Sequence, residues 1–139
     1  MVQLLVGKKG SGKTKALINE VNKASNESNG AVVCLEYGKS LTFDISSRAR
    51  LVDALEYDIS DAKSLYGFVC GMLAANYDVT HIFIDNSLKL CGGDKQQFVY
   101  FAQAINNVAK SNSVVCVISA SMEAEELPEE LRRLIRTNE

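Results

Sequence analysis

MVQLLVGKKGSGKTKALI, residues 1–18, decides how the rest of the chain is read. Gly7, Gly12, Lys13 and Thr14 fit the spacing G-x-x-x-x-G-K-S/T, and each residue type in it answers a physical demand. At Gly7, Gly10 and Gly12 the missing Cβ lets the backbone take positive φ angles and turn successive N–H groups toward one point, an anion nest. A helix that starts where the loop ends adds its unsatisfied N–H groups and the positive end of its dipole. Lys13 can then reach the β and γ phosphates of a nucleotide, and the Thr14 hydroxyl is placed to ligate Mg²⁺. Val2, Leu4, Leu5 and Val6 read as a short buried strand before the loop. Leu17, Ile18, Val21 and Ala24 trace one face of a helix after it, so the order is strand, loop, helix. A dinucleotide-binding loop fits worse, because Lys15 stands where the third glycine of G-x-G-x-x-G would be.

The chain of 139 residues, 47% of them apolar, matches one domain with one core. A net charge of −2 gives no electrostatic footprint for nucleic acid or an anionic membrane, although a local basic patch is compatible with it. The apolar opening has no charged leader, and no apolar run approaches transmembrane length, so a cytoplasmic protein is expected. Cys34, Cys70, Cys91 and Cys116 show neither C-x-x-C nor zinc spacing and read as reduced thiols, three of them inside apolar runs and Cys91 in an exposed loop.

Downstream, AVVCLE reads as a buried strand ending at Glu36. Residues 37–60 are ambiguous: Leu41, Phe43 and Ile45 alternate like a half-buried strand, and SSRARLVDAL fits strand or amphipathic helix. Ser60 reads as the N-cap of a helix carrying Leu65, Phe68, Val69, Met72 and Leu73, in which Gly67 and Gly71 are expected to pack closely on a sheet. VTHIFID is a third buried strand, closed by Asp85, with His81 near its start and therefore far from any site at its end. NSLKLCGG reads as a loop leading to a helix capped by Asp94 and Gln97, with Phe98, Phe101, Ala102, Ile105 and Val108 facing inward. A fourth strand spans Val114 to Ser119, and LPEELRRLIR reads as a terminal helix with acids in its first turn and Arg132, Arg133 and Arg136 toward its end.

Strands alternating with helices imply an α/β fold in three layers, a mainly parallel sheet with helices on both faces. In such sheets ligands bind beyond the carboxyl ends of the strands. That edge would gather Gly7, Lys8, Lys9, Gly10, Ser11, Gly12, Lys13 and Thr14 of the loop with Glu36, Asp85 and Ser119. An acid closing an apolar strand downstream of such a loop suits Mg²⁺ or its bound water, so Thr14 and Asp85 are the expected metal ligands.

In these residues the chain resembles the P-loop NTPase superfamily, and within it the RecA-like branch that carries an additional catalytic glutamate. GKKGSGKT, CLE, HIFID and VISAS occur in the order that branch shows. The resemblance implies Walker A roles for Lys13 and Thr14, a Walker B role for Asp85, water activation by Glu36 and γ-phosphate sensing by Ser119. It also implies a core strand order of 1-4-3-2 and ATP with Mg²⁺ as cofactors. Only the loop is specific in sequence, and Asn86 stands where many such ATPases carry a glutamate. LEYGKSLTF is loosely similar to a segment of pilus-retraction ATPases, whose N-terminal domain and basic channel residues this chain lacks.

An ATPase or ATP-dependent switch is therefore expected. A non-hydrolysing nucleotide-binding module is the binding alternative, favoured by Asn86 and opposed by Glu36. A small-molecule or nucleoside kinase is the enzyme alternative, disfavoured because no arginine lies between Arg50 and Arg132 to clamp a transferring phosphoryl group. Nothing like N-K-x-D is present to read guanine. A protein partner, or a second copy supplying Arg132, Arg133 or Arg136 to complete the site, is left open, against the plainer reading of a solvated helix end.

Overall fold

The computed structural model describes residues 1–39, 41 and 44–136. Five parallel strands form one sheet: β1 (Val2–Val6), β2 (Ala31–Glu36), β3 (Arg50–Asp53), β4 (Val79–Ile84) and β5 (Val115–Ala120), in the order β1-β5-β4-β2-β3. The four strands expected from sequence take the order 1-4-3-2, and β3 is added at the edge beside β2. The helices are α1 (Lys13–Glu27), α2 (Ala62–Ala75), α3 (Ser87–Leu90), α4 (Lys95–Ser111) and α5 (Glu129–Arg132), with 3-10 turns at Ala54–Tyr57 and Ala124–Glu126.

Both sheet faces are covered, which is why the central strands are apolar at nearly every position instead of alternating. Val2, Leu4, Val33, Leu35, Ile82, Ile84, Cys116 and Ile118 point into a core shared with α2 and α4. Their chain neighbours Leu5, Val32, Cys34, Phe83 and Val117 point the other way, into a smaller core under α1. The link from β2 to β3 has no helix in the described residues. Leu41, Ile45 and Ala49 anchor it to the α1-side core, and Asn22 on α1 holds it at both its amide ends: its Nδ2 donates to the Asp44 carbonyl at 2.9 Å and its Oδ1 accepts from the Ser46 N–H at 2.8 Å.

Several local expectations are corrected. Leu41 and Ile45 are buried, but in turns: the Leu41 carbonyl accepts from the Asp44 and Ile45 N–H groups at 2.9 and 3.2 Å. Phe43 lies outside the described residues. Of the two readings of SSRARLVDAL, strand holds for residues 50–53, which a 3-10 turn follows. The N-cap of α2 is Asp61 and not Ser60, because Asp61 accepts from the Ser64 N–H while Ser64 reaches back to the Asp61 N–H. Gly67 and Gly71 do not pack on the sheet; both are exposed, and a Cβ at either would meet nothing within 4 Å among the described residues. NSLKLCGG contains the short helix α3. The terminal helix is only four residues long. After it the chain runs beside the free edge of β1: the Leu134 carbonyl accepts from Leu4 N–H and the Arg136 N–H donates to the Leu4 carbonyl, each at 2.8 Å. The three arginines are thereby separated. Arg132 binds the carbonyls of Ala124 and Leu127, Arg133 faces Glu129, and Arg136 pairs with Glu20 at 2.6 Å. No helix among the described residues is long and apolar enough to cross a membrane.

Candidate functional site

Because every strand runs the same way, all five carboxyl ends share one edge. The register aligns them further. Leu5 pairs with Ser119, Ile84 with Ile118 and Leu35 with Ile84, so Ser119, Asp85 and Glu36 follow on one transverse row across β5, β4 and β2. Each sits two residues beyond a side chain of the α1-side core, Val117, Phe83 and Cys34 respectively, so pleating turns all three toward the face on which α1 begins. The structure thus brings together residues that the sequence supplies from four separate segments.

The loop between β1 and α1 delivers backbone donors to that row. Gly12 is the N-cap of α1 with φ +91°, a left-handed conformation that costs a residue with Cβ more than glycine, and it offers no side-chain cap. No acidic residue of α1's own first turn offsets the helix dipole there. The Lys13 ammonium folds back on the loop, donating to the Gly7 and Lys8 carbonyls at 3.0 and 2.8 Å. Burial lowers the Lys13 pKa, an effect that the negative charges of Asp85 and Glu123 offset in part.

The Thr14 hydroxyl donates to Asp85, 3.2 Å from Oδ1 and 3.4 Å from Oδ2. From the other side the Ser119 hydroxyl donates to Asp85 Oδ1 at 2.7 Å, and Ser119 Oγ accepts from the Asn86 N–H at 3.1 Å. Ser87 secures the same turn by donating to the Ser119 carbonyl at 2.6 Å. Asp85 is 3% exposed, and no ion pair among the described residues involves it. A buried carboxylate held by two hydroxyls and facing an uncapped helix start retains capacity for a cation. Mg²⁺ fits this donor set, since it binds through one or two protein oxygens and takes its remaining ligands from phosphates and water. Among the described residues no group of three or more His, Cys, Asp or Glu could form an all-protein metal cage.

A cleft of about 410 Å³ lies over the loop, lined by Lys9, Gly10, Lys13, Thr14, Asn86 and Ser119 among others. Its size falls within the range of small-ligand sites. Glu36 is also on the row and is buried, 2% exposed. Its Oε1 accepts from the Leu41 N–H at 2.9 Å, which ties the β2–β3 link to the site edge.

His81 lies at the opposite end of β4, stacked on Phe83 with ring centroids 6.1 Å apart, its pKa lowered by burial. Cys91 corrects an expectation: it is 1% exposed, and burial pushes its thiol up to about 12, so it is no nucleophile. Glu123, just past β5, was not foreseen. Its charge is felt at Lys13, and among the described residues its Oε1 is buried without a hydrogen-bond partner. The acid-rich run around it in the sequence gave no sign of this.

No protein-family model matches the chain, and no curated protein matches it. Any function must therefore be argued from the edge itself.

Proposed function

We propose that this chain binds a nucleoside triphosphate, ATP by default, together with Mg²⁺, and acts as a slow ATPase or ATP-dependent switch of the RecA-like P-loop kind. The observation that carries the reading is the Thr14–Asp85 contact at the uncapped start of α1. It places a hydroxyl and a carboxylate suited to one Mg²⁺ beside backbone donors and a lysine suited to phosphate. In this reading Gly7 to Thr14 cradle the phosphates, Lys13 neutralises charge that develops on the γ-phosphoryl group, and Ser119 senses it. Bound Mg²⁺ would draw charge from the β and γ oxygens. Glu36 orients or deprotonates the attacking water. Four free cysteines suit the cytoplasm, where ATP is abundant and thiols stay reduced.

A second reading, binding without hydrolysis, is favoured by the existing bond from Leu41 N–H to Glu36 and by Asn86 in the position after Asp85. Phosphate release at saturating Mg·ATP separates the two. Glu36→Gln keeps an oxygen for the Leu41 N–H while removing the charge. It should lower turnover by about 10² to 10⁴ with affinity nearly intact. Parental turnover in Glu36→Gln would remove Glu36 from the chemistry, and a parent that binds Mg·ATP without turning it over would favour the binding module over the enzyme.

A further inference from the structure

Beside the cleft over the loop lies a second one, of about 270 Å³, lined by Lys9, Asn86, Leu88, Lys89, Gly93 and Ser121. The two share Lys9, Asn86 and Ser121, while Thr14 and Lys15 line only the first. The second cleft therefore opens from the Lys9 end of the phosphate site, away from the α1 flank on which Lys15 lies. At 270 Å³ it is just below the usual size of a site for a drug-sized ligand, too small for a second nucleotide and suited to a compact one.

The chemistry of its walls is mixed. Leu88 is half-buried and supplies an apolar wall, and Gly93 adds no side chain. Two cations border the space. Lys89 is not a freely swinging lysine: its ammonium stands 4.9 Å from the centre of the Tyr37 ring, a cation–π contact that holds it beside the carboxyl end of β2. Among the described residues no carboxylate lines this cleft. When a phosphate chain occupies the first cleft, Lys13 and the start of α1 face its charge, and Lys89 together with the outward side of Lys9 remains available for another anion.

We propose that this second cleft binds a compact anionic ligand carrying a small apolar body, a carboxylate or phosphate monoester, next to the terminal phosphate of the nucleotide. The anion lies between Lys89 and Lys9, and the apolar body rests on Leu88. This rests on the reading of the first cleft as a nucleoside triphosphate site and extends it to two ligands on one edge. The terminal phosphate then faces the Lys9 end and the nucleoside the Lys15 end.

Two ATP derivatives test this, both esterified on the terminal phosphate: one with a phenyl group, the other with a 4-carboxyphenyl group. Only the second places an anion in the second cleft, so the ratio of their affinities reads that cleft while the nucleotide part cancels. The parent should prefer the carboxyphenyl ester by about tenfold, the worth of one good charge-assisted contact. Lys89→Ala should bring the ratio toward one, and Lys89→Glu should take it below one. A parental ratio of one or less, or a ratio untouched in both Lys89 variants, overturns the proposal. So does Leu88→Ala weakening Mg·ATP but not Mg·tripolyphosphate, which would give the cleft to the nucleobase. A parent that binds neither ester nor Mg·ATP fails at the first cleft, and the second-ligand proposal falls with it.

Discussion

Asp85→Asn separates what the carboxylate does for the fold from what it does for a ligand. The substitution is nearly isosteric, and an amide oxygen can still accept from Thr14 and Ser119, which stand 3.2 and 2.7 Å from Oδ1. Hydrogen bonds to a charged acceptor are worth about 1.5–3 kcal/mol and neutral ones about 0.5–1.5, so the two bonds together lose about 2 kcal/mol. Against this stands the cost of burying a carboxylate that has no cation in ion-pair contact among the described residues, several kcal/mol, which the amide relieves. The ligand-free variant should thus be at least as stable as the parent. Binding should behave in the opposite way. At a Mg·ATP concentration 100-fold above its Kd, the ligand stabilises the parent by about 2.7 kcal/mol, which for a chain of this size raises the melting temperature by roughly 5–10 °C. Loss of a metal-holding carboxylate weakens affinity by about 10- to 100-fold. At the same concentration the stabilisation falls to about 0.4–1.4 kcal/mol and the shift to a few degrees at most. Thermal unfolding with and without Mg·ATP reads both quantities. A ligand-free variant destabilised by more than about 3 kcal/mol, or one that keeps the whole Mg·ATP shift, would refute the reasoning.

Two further expectations follow from particular residues. Gly67→Ala and Gly71→Ala should each raise stability by about 0.5–1 kcal/mol, since both glycines lie inside α2 with open space where a Cβ would go; denaturant unfolding checks this, and a loss in either would mean that the positions are covered. Because burial lowers the Lys13 pKa, nucleotide affinity should begin to fall with rising pH below the usual lysine value of 10.5, and titration calorimetry across alkaline pH reads it. In the ligand-free protein the Lys13 contribution to stability moves the other way, because between the lowered value and 10.5 this group binds more protons in the unfolded chain; the buried thiols of Cys91 and Cys116, pushed up to about 12, contribute a loss of stability over the same range. An affinity that stays level up to pH 10.5 would contradict the assignment.

The row of Ser119, Asp85 and Glu36 was legible because strand ends are marked by a change from apolar to polar, and parallel strands bring their ends to one edge. The loop was legible from spacing alone. Most of what escaped the sequence has one physical cause: periodicity reports regular elements, and most of the misread segments are irregular or short. Leu41, Ile45 and Ala49 are buried in the β2–β3 link outside any described helix or strand, where burial leaves no period of 2 or 3.6. Leu90 and Cys91 are fully packed although LCGG reads as an exposed turn, because α3 drives them into the α2–α4 side of the core. Gly67 and Gly71 are apolar by composition and exposed in fact, and a helical pattern cannot tell a small packed residue from a small bare one. The arginines of the last segment fit one helix by spacing, but pairing of residues 134–136 with β1 competes for the same backbone groups and prevails.

Calorimetric titration of Mg·ATP into the parent and into Lys13→Ala tests the central claim most directly. Among the described residues Lys13 bonds only to the loop's own carbonyls and, more weakly, to Ser11, so its removal should leave the protein folded. The account predicts saturable binding with one site per chain in the parent, and loss of most of that affinity in a Lys13→Ala protein whose unfolding transition is intact. Equal affinity in the two proteins, or no heat from the folded parent, would contradict it.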